Sequence, residues 1–195
     1  MKLFRTRINV LKAKRLDSIR DVLGLDILSP KVWLAGGALR TLIDHDDIIN
    51  DYDLFFQNAE SLIAVKSKLL TAGFDCIYEC PNGYLFTYRK NSVKIQLICE
   101  KTYQNIEELL DSFDFTATCA ATDGEFVYYS SAFVKDVKKK ELRLANLVYP
   151  VATLKRIVKY AARGYTIRKV TVEFVKQVTE KHVPYSEEEM REYID

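Results

Sequence analysis

"LAGGALRTLIDHDDIINDYDLFF", Leu34 to Phe56, decides how this chain is read. An apolar run enters a glycine pair, Gly36-Gly37, and further along two aspartates, Asp51 and Asp53, stand one residue apart. "KVWLAG" (31–36) reads as a strand entering a glycine turn. "ALRTLID" (38–44) predicts a short helix with Leu39, Leu42 and Ile43 on one side. Glycine takes positive φ readily and puts no Cβ in the way of a ligand. The free N–H groups and dipole of the helix that follows favour phosphate oxygens. Arg40, one turn into that helix, adds a charge-assisted contact. The same pair also fits a tight turn that binds nothing.

The aspartates narrow the choice. "DYDLFF" (51–56) predicts a second strand, and alternate residues of a strand face the same way. Two carboxylates so placed repel, and burial raises their pKa values unless a cation neutralises them. Mg²⁺, or Mn²⁺ in its place, meets that need, because a hard ion binds one or two carboxylates plus substrate phosphates. On its own an Asp-x-Asp also fits a strand whose polar edge faces water. Phosphate grip and metal ligands falling in one corner is the more specific reading.

Outward from this stretch, residues 16–23 predict a short helix, and "AESLIAVKSKLLTAGF" (59–74) an amphipathic one. The latter turns Leu62, Val65, Leu69 and Leu70 inward and stops at Gly73. "FDCIYEC" and "YLFTYRK" flank the turn "PNG", and "SVKIQLIC" (92–99) follows the turn at Lys90-Asn91. "NIEELLDS" (105–112) is a short helix; "FDFTATCAAT" (113–122) is a strand that "DG" turns into "EFVYYS". "VKDVKKKELR" (134–143) is a charge run, expected to be solvated and to mark a boundary. "PVATLKRIVKYAARGY" (150–165) puts Leu154, Ile157, Val158, Ala161 and Tyr165 on one helical face, and Lys155, Arg156, Lys159 and Arg163 on the other. Helices are also expected over 167–181 and 185–193. The order predicts an α+β head over residues 1–135, with a basic linker and helical extension, 136–195, packed on it.

The chain has 195 residues, 48% of them hydrophobic, enough for one filled core with a small appendage. A net charge of +2 leaves nucleic-acid affinity to local clusters. No apolar run has the length of a membrane span, and no secretory signal is read, so a cytoplasmic protein is expected. Cys76, Cys80, Cys99 and Cys119 lie in strand-like stretches and are expected as reduced, buried thiols. His45 and His182 have no nucleophile or carboxylate arranged around them in the sequence.

"WLAGGALR", "NDYDLFF" and "ATLKRIVKYAARGY" together resemble the nucleotidyltransferase superfamily that includes DNA polymerase β. Within it they look most like the head domain of tRNA nucleotidyltransferases (CCA-adding enzymes) and bacterial poly(A) polymerases. The resemblance implies a mixed sheet with helices mainly on one side, two Mg²⁺ ions and a nucleoside triphosphate. It implies that Gly36 and Gly37 contact the triphosphate and that Asp51 and Asp53 hold the metals. The sequence departs from the family in two places. Thr41, where an aspartate usually stands, follows Arg40. The strand that often carries a third carboxylate has Gln96 beside Lys94 on its polar face. Asp114, read as sharing a strand face with Thr116 and Thr118, is the other candidate for the third acid, against an edge or capping role.

The expected reaction is attack of a hydroxyl on the α-phosphorus of a nucleoside triphosphate, with pyrophosphate leaving. Arg156 and Lys159, on the basic helical face, are the expected nucleotide or RNA-backbone contacts, and Tyr160 and Tyr165 are candidates to stack on a base. The acceptor is an RNA (tRNA or other), a protein or a small molecule. Short length disfavours tRNA tailing and fits a compact member of stress or virus–host conflict systems. The competing reading is a degenerate module of the same fold that binds a nucleotide or a partner without turnover. Base preference and oligomeric state are not legible.

Overall fold

The computed structural model describes residues 3–7, 26–44 and 49–181; the helices expected over 16–23 and 185–193, and both histidines, lie outside them. The architecture is α+β, built on a mixed eight-stranded sheet. In chain order the strands are β1 (Leu3–Arg7), β2 (Val32–Ala35), β3 (Tyr52–Phe56), β4 (Asp75–Glu79), β5 (Leu85–Lys90), β6 (Val93–Ile98), β7 (Ala120–Thr122) and β8 (Phe126–Ser130). They lie in the order β1-β8-β7-β2-β3-β6-β5-β4. Only β3 and β6 run parallel; every other neighbouring pair is antiparallel. Two further short strands, β9 (Glu141–Leu142) and β10 (Thr166–Ile167), pair in parallel outside the sheet.

Period-2 alternation sorts β2 and β3 onto two cores. Val32, Leu34, Tyr52, Leu54 and Phe56 join the larger core with helices α1 (Ala59–Thr71), α3 (Phe133–Lys139), α4 (Pro150–Ala162) and α5 (Lys169–Lys181). Trp33, Ala35 and Phe55 face a smaller one closed by α2 (Ile106–Asp111). Helices thus cover mainly one side. Local chemistry sets the ends: the Asn58 and Asn105 side chains accept N-cap bonds from Ser61 and Glu108, each at 2.9 Å. The expected hairpins join β4 to β5, β5 to β6 and β7 to β8; the "DG" turn is held by Asp123 Oδ1, which accepts from the N–H groups of Glu125 and Phe126.

Four expectations need correction. The helix after the glycines is a 3₁₀ helix, Gly36–Leu42, containing both of them and buried nearly all round. Thr41 Oγ1 donates to Ala38 O at 2.8 Å, an i−3 bond that suits the tighter winding. The strand over 113–122 breaks into an irregular start, a 3₁₀ turn (Thr116–Thr118) and the short β7. There the threonine hydroxyls serve other partners: Thr118 donates to Phe115 O at 2.8 Å, and Thr116 to Asp136 Oδ2 at 2.5 Å. The charge run exposes Lys135, Lys138, Lys139 and Lys140, as expected, but is not solvated throughout. It forms α3, which spans residues 135 and 136, and Asp136 is fully buried with Arg143 Nε donating to it at 3.0 Å. Finally, Leu70 and Val158, expected inward, are 57% and 67% exposed, each one residue past the buried stripe.

Two of the cysteines, Cys80 and Cys119, are buried, but Cys76 on edge strand β4 is exposed and Cys99 half-buried; all four are free thiols. Among the described residues no helix is long and apolar enough to cross a membrane.

Candidate functional site

At the end of β2 the chain turns sharply through Gly36, whose φ is +80°. A Cβ there would come within 3.3 Å of Phe113 Cε1 and 3.8 Å of Asp53 Oδ2, so glycine is required on two counts. At Gly37 a Cβ would meet only Arg40 Nη2 at an ordinary 3.8 Å. Beside this turn opens a cavity of about 220 Å³. Ala35 pairs with Asp53 across β2 and β3, which brings the glycine turn and the aspartates to one corner. Asp51, the residue before β3, and Asp53 within it both line the cavity with Gly36, Gly37 and Phe55.

The opposite wall is basic. Arg156, Lys159 and Arg163 line the cavity from α4 and its end, three and four residues apart, on one side of the helix. Burial and the neighbouring Asp51 carboxylate push the Asp53 carboxyl up to about 7, while Lys159, Arg156 and Lys94 pull it back down. Lys94 Nζ lies 3.9 Å from Asp51 Oδ2. The two carboxylates are hard oxygen donors of the kind that can hold a divalent cation such as Mg²⁺ or Mn²⁺, and three cations of the protein also stand near them.

Asp114 also lines the cavity, but not as a strand residue. Its Oδ2 accepts from Arg156 Nη1 at 2.8 Å and from Thr153 Oγ1 at 3.2 Å. A cation of the protein therefore already sits against it. Among the described residues no cluster of three or more acidic, histidine or cysteine side chains is arranged to hold a metal. Arg40 lines the cavity too, yet it is 1% exposed. Its guanidinium lies 4.6 Å from the Tyr160 ring centre and 5.7 Å from that of Tyr165, and its Nε donates to Gly37 O at 3.3 Å. Tyr160 and Tyr165 are accordingly packed around Arg40, each under 7% exposed, rather than presented to a base.

Sequence reasoning missed several cavity residues. Tyr84, Tyr103 and Phe113 line its apolar part, and Tyr149 donates through its hydroxyl to Glu100 at the same wall. No spacing links these positions; they lie on separate connections between elements, which the fold brings to one cavity. Gln96 was legible as a polar-face residue of its strand, but its place directly beside Asp53 follows only from the parallel β3–β6 register.

Known proteins resemble the chain in two ways. By fold it is similar to the CCA-adding enzyme in complex with ATP: TM-score 0.67, 17% identity, covering 93% of this chain and 47% of that one. The Thermotoga maritima CCA-adding enzyme in complex with tRNA gives a TM-score of 0.63 at 18% identity, with the same coverage. The chain thus spans about half the length of these enzymes, and the likeness is one of fold. By sequence it is 26% identical over 148 residues to "Gabija anti-defense 2" of Bacillus phage SPbetaL7, covering 74% of this chain and 36% of that protein. The nucleotidyltransferase fold therefore stands, and at these identities the likeness to the CCA-adding enzymes shows no more than that fold. The profile of the Gabija anti-defense 2 family matches residues 8–140, and the chain belongs to that family.

Proposed function

We propose that the chain is a nucleotidyltransferase that moves a nucleoside monophosphate from a nucleoside triphosphate onto a hydroxyl of a macromolecule, the acceptor being a protein or RNA component of the Gabija defence after which its family is named. The observation that carries this reading is one cavity lined by Asp51 and Asp53, by the Gly36-Gly37 turn, and by Arg156 and Lys159. A new bond forms between the acceptor oxygen and the α-phosphorus; the α–β phosphoanhydride bond breaks, pyrophosphate leaves, and the hydroxyl proton passes to solvent. The chain supplies alignment and charge rather than a covalent intermediate. Backbone at Gly36 and Gly37 lets phosphate oxygens approach closely, and Arg156, Lys159 and Arg163 offset the charge of the triphosphate and of the leaving group. Arg40 is a positioning residue, fixing the glycine turn against α4. Asp51 and Asp53 would hold the divalent ion, which when bound polarises phosphate oxygens and makes the attacking hydroxyl more acidic. Asp114 serves as the partner of Arg156.

The test incubates the protein with each α-labelled nucleoside triphosphate, Mg²⁺ or Mn²⁺, and an extract from cells carrying the Gabija system. Label on a protein or RNA that disappears with D51N and D53N supports the proposal; saturable nucleotide binding with no label transferred overturns it. That second outcome is the nucleotide-binding module without turnover. It is favoured by two observations: Asp114 is already paired to Arg156, and Gln96 is neutral.

A further inference from the structure

We propose that the aromatic end of this cavity is the acceptor subsite, and that it seats the side chain of a tyrosine on a protein acceptor, whose phenolic oxygen attacks the α-phosphorus. The inference rests on the nucleotidyltransferase reading above and narrows the acceptor to one kind of hydroxyl.

Phe55 follows Asp53 on the same face of β3, one side-chain repeat or about 7 Å along the strand. It pairs with Ile98, and Ile98 with Leu85, so an apolar row crosses three strands beside the row that begins with Asp53 and Gln96. All of these residues line the cavity. Phe113 links the apolar row to the glycine turn: it stands edge-on to Phe55, ring centres 5.8 Å apart, and a Cβ at Gly36 would lie 3.3 Å from its Cε1. Tyr103 also meets Phe55 edge-on, at 6.1 Å. A further ring entering here extends an existing edge-to-face cluster, and a tyrosine laid along it carries its hydroxyl to the Asp53 end. Tyr84 lines the cavity yet is 44% exposed, which places it at the mouth. Its backbone is held on both sides, the N–H donating to Cys80 Sγ at 3.0 Å and the carbonyl accepting from Cys99 N–H at 2.6 Å.

Charge favours a protein over a polynucleotide at this end. Of the lining residues from Tyr84 to Phe113 only Glu100 is charged, and it is an acid that accepts from the Tyr149 hydroxyl. Lys101 beside it is tied to Glu108 at 2.7 Å. The lining cations come instead from the glycine helix and from α4 and its end, which the triphosphate occupies in the reading above. A polynucleotide brings phosphates that call for Lys or Arg alongside, whereas this end offers rings and a carboxylate.

The chemistry favours a phenol over an aliphatic alcohol. Gln96 is neutral and Asp114 is held by Arg156 and Thr153, so neither stands ready to take the proton of the attacking hydroxyl. A tyrosine hydroxyl ordinarily titrates at about 10 and needs less help than serine or threonine to release its proton. The phenolic oxygen bonds to the α-phosphorus, the α–β phosphoanhydride bond breaks, pyrophosphate leaves, and the phenolic proton passes to solvent.

The experiment incubates the full chain with α-labelled nucleoside triphosphates, Mn²⁺ and an extract from cells carrying the Gabija system, and maps the labelled product by mass spectrometry. A nucleoside monophosphate on a tyrosine is expected. Y84A removes an exposed ring, so Tm is expected to hold. Transfer to that protein is expected to fall about tenfold, with affinity for a non-hydrolysable triphosphate analogue, read by calorimetry, within about twofold of wild type. Should Y84A fail to fold, I98A read the same way replaces it. Label on serine, threonine or an RNA end, lost in D51N, overturns the tyrosine subsite and leaves the nucleotidyltransferase reading standing. Unchanged transfer in the folded variant overturns the subsite too, as does a loss of analogue affinity, which would assign the rings to the nucleotide base. No labelled product from the wild type sinks both.

Discussion

Gly36 and Gly37 stand side by side but answer to different constraints. At Gly36, φ of +80° and Phe113 at 3.3 Å both oppose a side chain, so G36A is expected to cost about 1–2 kcal/mol, read as a lower denaturation midpoint. G37A meets only an ordinary contact, so it is expected to leave stability within about 0.5 kcal/mol while weakening nucleotide binding, read by calorimetry. Equal loss of stability in both would contradict this division. Asp53 makes a second prediction. Its carboxyl titrates near 3.9 in the unfolded chain and at about 7 in the folded one. Between those values the folded state holds the extra proton, so this group's contribution to stability is full below the unfolded value and lost as pH rises to 7. Without divalent ions, D53N is therefore expected to melt higher than wild type at pH 8, with the gap closing toward pH 4. A gap that widens on acidification would reverse the sign of the argument.

At the scale of elements, two polar clasps hold the site's walls together. Asp136 on α3 is completely buried and takes a fork from Arg143 just beyond β9, plus the hydroxyl of Thr116 in the 3₁₀ turn. It thus pins the irregular segment that also carries Asp114. Removing one partner strands the others, so D136A is expected to cost about 3 kcal/mol or more, measured by denaturant unfolding. The second clasp is Arg40, which joins the glycine helix to α4 by stacking on Tyr160. A lysine keeps the charge but not the flat, delocalised face, so R40K is expected to lower Tm by several degrees, which thermal melts would show. The sequence misjudged both elements for one reason. An acid inside a charge run looks solvated, and Arg40 looks free to meet a phosphate, until the partner that buries each is known; those partners stand 20 and 120 positions away in Thr116 and Tyr160.

For the molecule as a whole, a site drawn from β3, β6, the glycine helix and α4 ties ligand binding to global stability. A nucleotide analogue with Mg²⁺ at a hundred times its Kd is expected to stabilise the wild type by about 2.7 kcal/mol, and D51N hardly at all, in a thermal-shift measurement. Much of this architecture was legible in the residues. Alternation placed Asp51 and Asp53 on one face, "PNG" and "DG" marked hairpins, and Gly73 bounded α1. These are local matters, settled by backbone sterics and by side chains within four positions of each other. What only the tertiary structure decided is long-range: that Gln96 neighbours Asp53, that Arg156 turns inward onto Asp114, and that Tyr160 lies under Arg40. Helical period allowed α4 to bury either of two overlapping faces, and the apolar count favoured the one with Val158. The buried charges of Asp114 and Arg40 favoured the other, because leaving them unpaired costs more than exposing a valine.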